Sequence, residues 1–198
     1  APKVMYWSLR NWLMGFATQW GLKVELVDMT SVEEVAASLQ PGKTKLVWIE
    51  TPANPTLKCV DIQAIAQIAH ERDGITVVTD NTFATPFSTN PALLGSDVVV
   101  HSLTKYLCGH GTVVAGVVCG TKEFIQSCRA PYLQTLGSTI DPFAAWLVMQ
   151  GLKTFAVRME RHCENAMKIA AFLQEHPMVE KVYYPGLPAH PSHDVAKK

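Results

Sequence analysis

The sequence predicts an α/β fold: a mostly parallel sheet with helices on both faces, followed by the start of a second, α+β domain. Three observations predict it. Strand-sized apolar runs alternate with helix-sized amphipathic ones between about Lys23 and Cys128. Proline- and glycine-bearing turns separate them. From about Pro142 the pattern becomes helical, and a strand-like run at Met178–Tyr184 opens something new.

Taken in order, Asn11–Trp20 carries Trp12, Leu13, Phe16 and Trp20 near helical spacing, and Gly21 supplies a stop. Lys23–Val27 alternates as a strand. Thr30-Ser31-Val32-Glu33-Glu34 is a capping signature for a short helix through Leu39. Pro41-Gly42 turns the chain into a second strand, Lys45–Glu50. The Thr51-Pro52-Ala53-Asn54-Pro55 stretch holds two prolines and is a loop. Asp61 begins a helix whose Ile62, Ile65, Ala66, Ile68 and Ala69 share one face. Ile75–Thr79, Asp97–His101 and Val113–Cys119 are further strands, and Lys122–Cys128 is a short helix. Phe143–Leu152 and Phe155–His176 are helices, the second long and amphipathic, and Tyr184–Pro188 is a turn-rich joint. No internal repeat appears.

In open α/β sheets, ligands lie beyond the carboxyl ends of the strands. Asn54, Asp80 and the cluster Ser102, Thr104 and Lys105 all fall at such ends. Val98-Val99-Val100 runs straight into His101-Ser102-Leu103-Thr104-Lys105-Tyr106, so a buried strand delivers two hydroxyls and an amine to its mouth. Alone, that lysine reads as a solvated residue after a core strand. Partly desolvated, its amine becomes a usable nucleophile toward a carbonyl. Asp80, directly after an apolar strand, needs a partner, and a protonated ring nitrogen would serve. An amine, an acid facing a pyridinium and hydroxyls near a phosphate together fit pyridoxal phosphate chemistry.

Composition narrows the field. Lys plus Arg and Asp plus Glu are 17 each in 198 residues, so no basic surplus points to nucleic acid or to an anionic membrane. The apolar runs are strand-sized, which predicts no membrane span. The five cysteines are odd in number and form no Cys-x-x-Cys pair, which fits reduced thiols in a cytoplasmic protein. His190-Pro191-Ser192-His193 lacks a third ligand, so no metal site is expected. His110, His162 and Cys163 have nothing to orient them as a nucleophile pair, and Gly109, Gly111 and Gly116 have the wrong spacing for a dinucleotide loop. Trp7, Trp12 and Trp20 are read as core or subunit contact.

Three motifs make the chain recognisable: Glu50-Thr51-Pro52-Ala53-Asn54-Pro55, Val78-Thr79-Asp80-Asn81-Thr82-Phe83-Ala84-Thr85-Pro86 and His101-Ser102-Leu103-Thr104-Lys105-Tyr106. With Gly151-Leu152-Lys153-Thr154, Arg158-Met159 and Tyr184-Pro185-Gly186-Leu187, the chain resembles the Cys/Met-metabolism family of pyridoxal-phosphate enzymes. That family includes cystathionine γ-synthase, cystathionine β- and γ-lyases, methionine γ-lyase and O-acylhomoserine sulfhydrylases. The resemblance implies an aspartate-aminotransferase-like, fold-type-I large domain and pyridoxal 5'-phosphate as cofactor. It implies that Lys105 holds the cofactor aldehyde as a Schiff base and shuttles protons, and that Asp80 pairs with the pyridine nitrogen. Ser102 and Thr104 would bind phosphate, and Asn54 would bond near the phenolic oxygen or the substrate carboxylate. Tyr6, by its spacing to Val27-Asp28-Met29, matches the tyrosine that stacks on the ring.

Two departures stand out. The family's Tyr-Gly-Gly-Thr is here Tyr6-Trp7-Ser8-Leu9, where two small residues give way to bulk. Gly109-His110-Gly111-Thr112 looks more like methionine γ-lyases and sulfhydrylases but lacks their following acid. The chain starts without methionine and stops at Asp194-Val195-Ala196-Lys197-Lys198, so both ends look cut. The resemblance puts the Gly-Met phosphate loop and the Tyr and Arg given to a neighbouring subunit's phosphate before residue 1. It puts the arginine that grips the substrate carboxylate after residue 198. The expected organisation is an N-terminally incomplete cofactor domain over 1–165, then the end of the long helix and a truncated C-terminal domain over 166–198. The expected function is elimination at a carbon–sulfur bond of a small sulfur amino acid such as cystathionine or methionine. Alternatives are a γ-replacement enzyme or a non-catalytic truncated fragment. The resemblance also implies a homotetramer built as a dimer of dimers.

Overall fold

The computed structural model describes residues 1–198. Its ordered segments, in chain order, begin with α1 (Trp7–Met14), α2 (Phe16–Gln19), α3 (Val32–Ser38), β1 (Leu46–Glu50), α4 (Ile62–His70) and β2 (Thr76–Asp80). There follow α5 (Thr85–Ser88), β3 (Val98–Ser102), β4 (Gly116–Cys119), α6 (Lys122–Cys128) and α7 (Gln134–Leu136). The chain closes with α8 (Pro142–Leu152), α9 (Phe155–Gln174) and α10 (His193–Ala196). The strands form one sheet in the order β1-β2-β3-β4. β1, β2 and β3 run parallel, and β4 returns antiparallel to β3, so the sheet is mixed and mostly parallel, as expected.

Local chemistry explains where the helices begin. The Ser31 hydroxyl accepts from the Glu34 amide at 3.1 Å and starts α3. The Asp61 carboxylate does the same for α4 through Ala64, and Asp141 caps α8 through Phe143 and Ala144. Each bond satisfies an amide that the first helical turn leaves free. Glu34 does not complete a reciprocal capping box; its carboxylate goes to Lys3 at 3.2 Å.

The main core lies between α3, α4 and one face of the sheet. Val47, Ile49 and Val77 meet Ile62, Ile65, Ala66 and Ala69 of α4 and Val35 and Leu39 from the α3 segment. Ile49, Ile65 and Val77 are fully buried, and burying each such side chain contributes about 1.5–3 kcal/mol. Side chains alternate along a strand, so Trp48, Glu50, Val78, Asp80 and Val100 point to the opposite face. On that side Val98 borders Phe124 of α6 across a shared cavity.

Four elements differ from the sequence-based expectation. The helix expected over Asn11–Trp20 starts at Trp7 and breaks at Gly15, where a Cβ would sit 3.0 Å from the Asn11 carbonyl. Lys23–Val27 is not a strand; its one ladder contact is an isolated bridge from Val27 to Pro2. Met178–Tyr184 is not a strand either. In both, an alternating pattern finds no neighbouring strand to pair along its length, and pairing rather than propensity makes a strand. Finally, β4 begins at Gly116 rather than Val113, because Val113 packs on Cys108 and Val148 and the Ala115 amide goes to the Thr104 hydroxyl.

Candidate active site

Glu50, Asp80 and Val100 are lateral neighbours in register, which puts the two carboxylates side by side at the carboxyl ends of β1 and β2. Ser102 ends β3 two residues beyond Val100 and so faces the same way. One Asp80 oxygen accepts from the Thr82 amide at 2.9 Å. The Thr82 hydroxyl in turn accepts from the Ser102 amide at 2.8 Å. Asp80, Thr82 and Ser102 therefore form one hydrogen-bonded link across the mouth of β2 and β3.

Beyond Ser102 the chain makes a π-helical turn, Leu103–Leu107, in which Lys105 departs from helical angles at φ −90° and ψ −124°. Lys105 is exposed, not partly desolvated as the buried strand before it suggests; it sits three residues past the end of β3. The half-buried Thr104 hydroxyl donates to the Ala115 carbonyl at 3.3 Å and accepts from the Ala115 amide at 3.0 Å. Its proton is thus committed to the main chain, whereas the half-buried Ser102 hydroxyl has no hydrogen-bond partner.

Arg158 of α9 holds this turn from behind. Its guanidinium donates to the Tyr106 carbonyl at 2.8 Å, the Leu107 carbonyl at 3.4 Å and the Gly151 carbonyl at 2.9 Å. Close approach explains two glycines. A Cβ on Gly109 would lie 2.0 Å from the Arg158 guanidinium, and one on Gly151 would lie 2.1 Å from the Cys108 carbonyl.

The other two candidate residues come in through Glu50, which is 5% exposed. Its carboxylate accepts from the Tyr6 amide at 2.8 and 3.1 Å and from the Asn54 amide at 2.8 Å. Burial raises the proton affinity of Glu50, the two amides oppose that, and neighbouring Asp80 adds to it. Tyr6 itself is 42% exposed and immediately precedes α1, so the Trp7-Ser8-Leu9 that replaces the family's Gly-Gly-Thr is the first turn of a helix. His101, on the core side, is buried, and its Nδ1 has no hydrogen-bond partner. Burial lowers its pKa and the Asp80 carboxylate partly offsets this.

Sequence reasoning missed Glu50, Thr82 and Arg158 as parts of this site. Glu50 carried one signal, an acid closing an otherwise apolar strand. Thr82 and Arg158 stand in the motifs that carry the resemblance, but nothing in their residue type told that Thr82 would bridge Asp80 to Ser102 or that Arg158 would hold the Tyr106 carbonyl. Elsewhere, His193 Nδ1 lies 2.8 Å from the Pro185 carbonyl and His190 Nδ1 accepts from the Ser192 amide. All five cysteines are free thiols. No helix is long and apolar enough to cross a membrane.

Residues 1–198 match the family described as Cys/Met metabolism PLP-dependent enzyme. The chain belongs to that family. Its members are pyridoxal-phosphate-dependent enzymes. The chain is 46% identical to an L-methionine gamma-lyase of Porphyromonas gingivalis, over all of this chain and 50% of that protein. It is 49% identical to a cystathionine beta-lyase of Coxiella burnetii, over 90% of this chain and 46% of that protein. With a cystathionine gamma-lyase of Sus scrofa the identity is 46%, over 98% and 48%. The crystal structure of metB from Corynebacterium glutamicum superposes with a TM-score of 0.94 at 42% identity, over 99% of this chain and 50% of that one. The chain spans about half the length of the curated relatives it matches. The donor set suits the family's cofactor: a primary amine, a carboxylate and an uncommitted hydroxyl surround one sheet mouth, matching an aldehyde, a cationic ring nitrogen and a phosphate.

Proposed function

We propose that this chain carries the cofactor-binding part of a pyridoxal-phosphate-dependent carbon–sulfur lyase acting on a sulfur amino acid such as cystathionine or methionine. One observation carries the reading. Asp80 and Ser102 close adjoining parallel strands and are linked through Thr82, and the turn that carries Lys105 begins directly after Ser102. The lyase names of the relatives support the reaction class.

In this reading Asp80 holds a proton at the ring nitrogen, Ser102 and Thr104 donate to phosphate oxygens, and Tyr6 supplies an aromatic face. Thr104 does so after its hydroxyl turns from Ala115. Asn54 bonds the phenolic oxygen or the substrate carboxylate. When bound, pyridoxal phosphate supplies an aldehyde carbon for the amino nitrogen and a ring that takes up the electron pair freed at the α-carbon. Lys105 Nζ would remove the α-proton and, for γ-chemistry, give that proton up again before taking one from the β-carbon, which the ammonium then returns to the sulfur group as it leaves as a thiol.

The whole protein is proposed as a cytoplasmic homotetramer, a dimer of dimers. The free thiols support the compartment, and the exposed Trp12, Trp20, Phe143, Trp146 and Phe172 support burial between subunits. The domain division proposed is 1–165 and 166–198, with the boundary inside α9.

The test is substrate choice. The purified complete protein with pyridoxal phosphate is given cystathionine, methionine, or an O-acylhomoserine plus cysteine. Release of an α-keto acid from either of the first two is expected. Turnover of the O-acylhomoserine and cysteine alone would establish γ-replacement instead, and turnover of none would contradict the proposal.

A further inference from the structure

We infer that Glu50 is a positioning residue: its buried carboxylate, by accepting the main-chain amides of Tyr6 and Asn54, sets where those two residues stand at the mouth of the sheet. The inference rests on the proposal that Tyr6 and Asn54 line the cofactor site. Tyr6 lies between the opening segment and α1, and Asn54 lies in the loop after β1, so nothing in chain order brings them together. Glu50 does, through contacts of 2.8 and 3.1 Å to one amide and 2.8 Å to the other.

Neither amide has a main-chain acceptor. The three contacts are part-buried, and an amide partly withdrawn from water needs an acceptor, which here the carboxylate supplies to both segments. Glu50 also takes part in no ion pair, and its register neighbour is a second acid, Asp80. A buried charge with no cation beside it is a poor way to gain stability alone, because an apolar side chain of similar volume packs without that cost. The carboxylate is explained by what it holds. A carboxylate has two oxygens and no donor, so it can take main-chain donors from two directions at once.

Glu50→Gln keeps the volume but presents an NH2 to one of the donors. The experiment measures kcat, KM, bound cofactor and melting temperature on the same samples of the complete protein, with cystathionine as substrate. The expected result is retained cofactor, an altered circular dichroism of the bound cofactor, and a KM raised at least tenfold. A lower melting temperature with wild-type kcat and KM per bound cofactor overturns the inference, since a purely structural role predicts that.

Tyr6→Ala and Asn54→Ala are run alongside. If they lower kcat/KM and Glu50→Gln does not, the Glu50 inference alone is wrong. If neither lowers it, the site assignment beneath it is wrong. Should Glu50→Gln fail to fold, hydrogen exchange in the unaltered protein decides. Slow exchange at the Tyr6 and Asn54 amides is expected, and exchange at the rate of open-loop amides overturns the inference.

Discussion

Arg158→Ala probes how the lysine-bearing turn is held. Two guanidinium contacts are short, 2.8 Å to the Tyr106 carbonyl and 2.9 Å to the Gly151 carbonyl. A hydrogen bond from a charged donor contributes about 1.5–3 kcal/mol. Arg158 is half-buried, so the lower end applies to each, and the pair contributes about 3 kcal/mol. For a chain of this size each kcal/mol moves the melting temperature by about 2–4 °C, which predicts a fall of about 6–12 °C. Arg158→Lys should recover part of the loss, because a compact ammonium can reach one carbonyl but not span both. The assay is thermal unfolding followed by circular dichroism. Hydrogen exchange at the Gly109 amide, bonded to the Lys105 carbonyl at 2.7 Å, should quicken in parallel. A fall of less than about 1 °C with unchanged exchange would refute the claim that Arg158 pins the turn.

Three other outcomes are expected. If Asp80 pairs with the ring nitrogen as proposed, Asp80→Asn in the complete protein should keep the cofactor but lower kcat/KM by about a hundredfold, the cost of removing one partner from a close charge pair, measured by steady-state kinetics. Ile65→Ala, at a fully buried site between α4 and the sheet, should destabilise by about 2–5 kcal/mol in urea titration. Burial holds the pKa of His101 below its ordinary 6.5, against the smaller opposing pull of Asp80. The unfolded chain therefore binds more protons than the fold. The stability tied to neutral His101 is present above about pH 6.5 and is lost as pH falls through the folded pKa. The stability lost between about pH 7.5 and 5.5 should be smaller in His101→Phe than in the unaltered protein, and an equal loss would contradict this.

Much of the architecture was legible because its causes are local. Ser31 and Asp61 announced their helices because a capping oxygen works within three residues of itself. The apolar runs at Leu46–Glu50, Thr76–Asp80 and Val98–Ser102 marked strands because each buries Val or Ile residues in a strand-length run. Asp80, Ser102 and Lys105 could be read as a group because strand ends in parallel sheets collect on one edge.

What was hidden depends on distant partners. Whether Lys23–Val27 or Met178–Tyr184 becomes a strand is settled by what lies alongside, and no periodicity within the segment reports that. Glu50 meets Tyr6 across most of the first fifty residues, and Arg158 meets Tyr106 from another helix, each through main-chain atoms that carry no residue identity. Thr104 reads as a phosphate ligand from its place beside Lys105, yet its hydroxyl spans the Ala115 peptide, a contact that arises only once β4 folds back.

The central claim is that Lys105 is the residue that joins the cofactor. Borohydride reduction of the purified protein incubated with pyridoxal phosphate, followed by peptide mass mapping, tests it most directly. The pyridoxyl mass is expected on Lys105 in near-stoichiometric amount and absent from Lys105→Ala. The same label on another lysine, or an unchanged yield in Lys105→Ala, would contradict it.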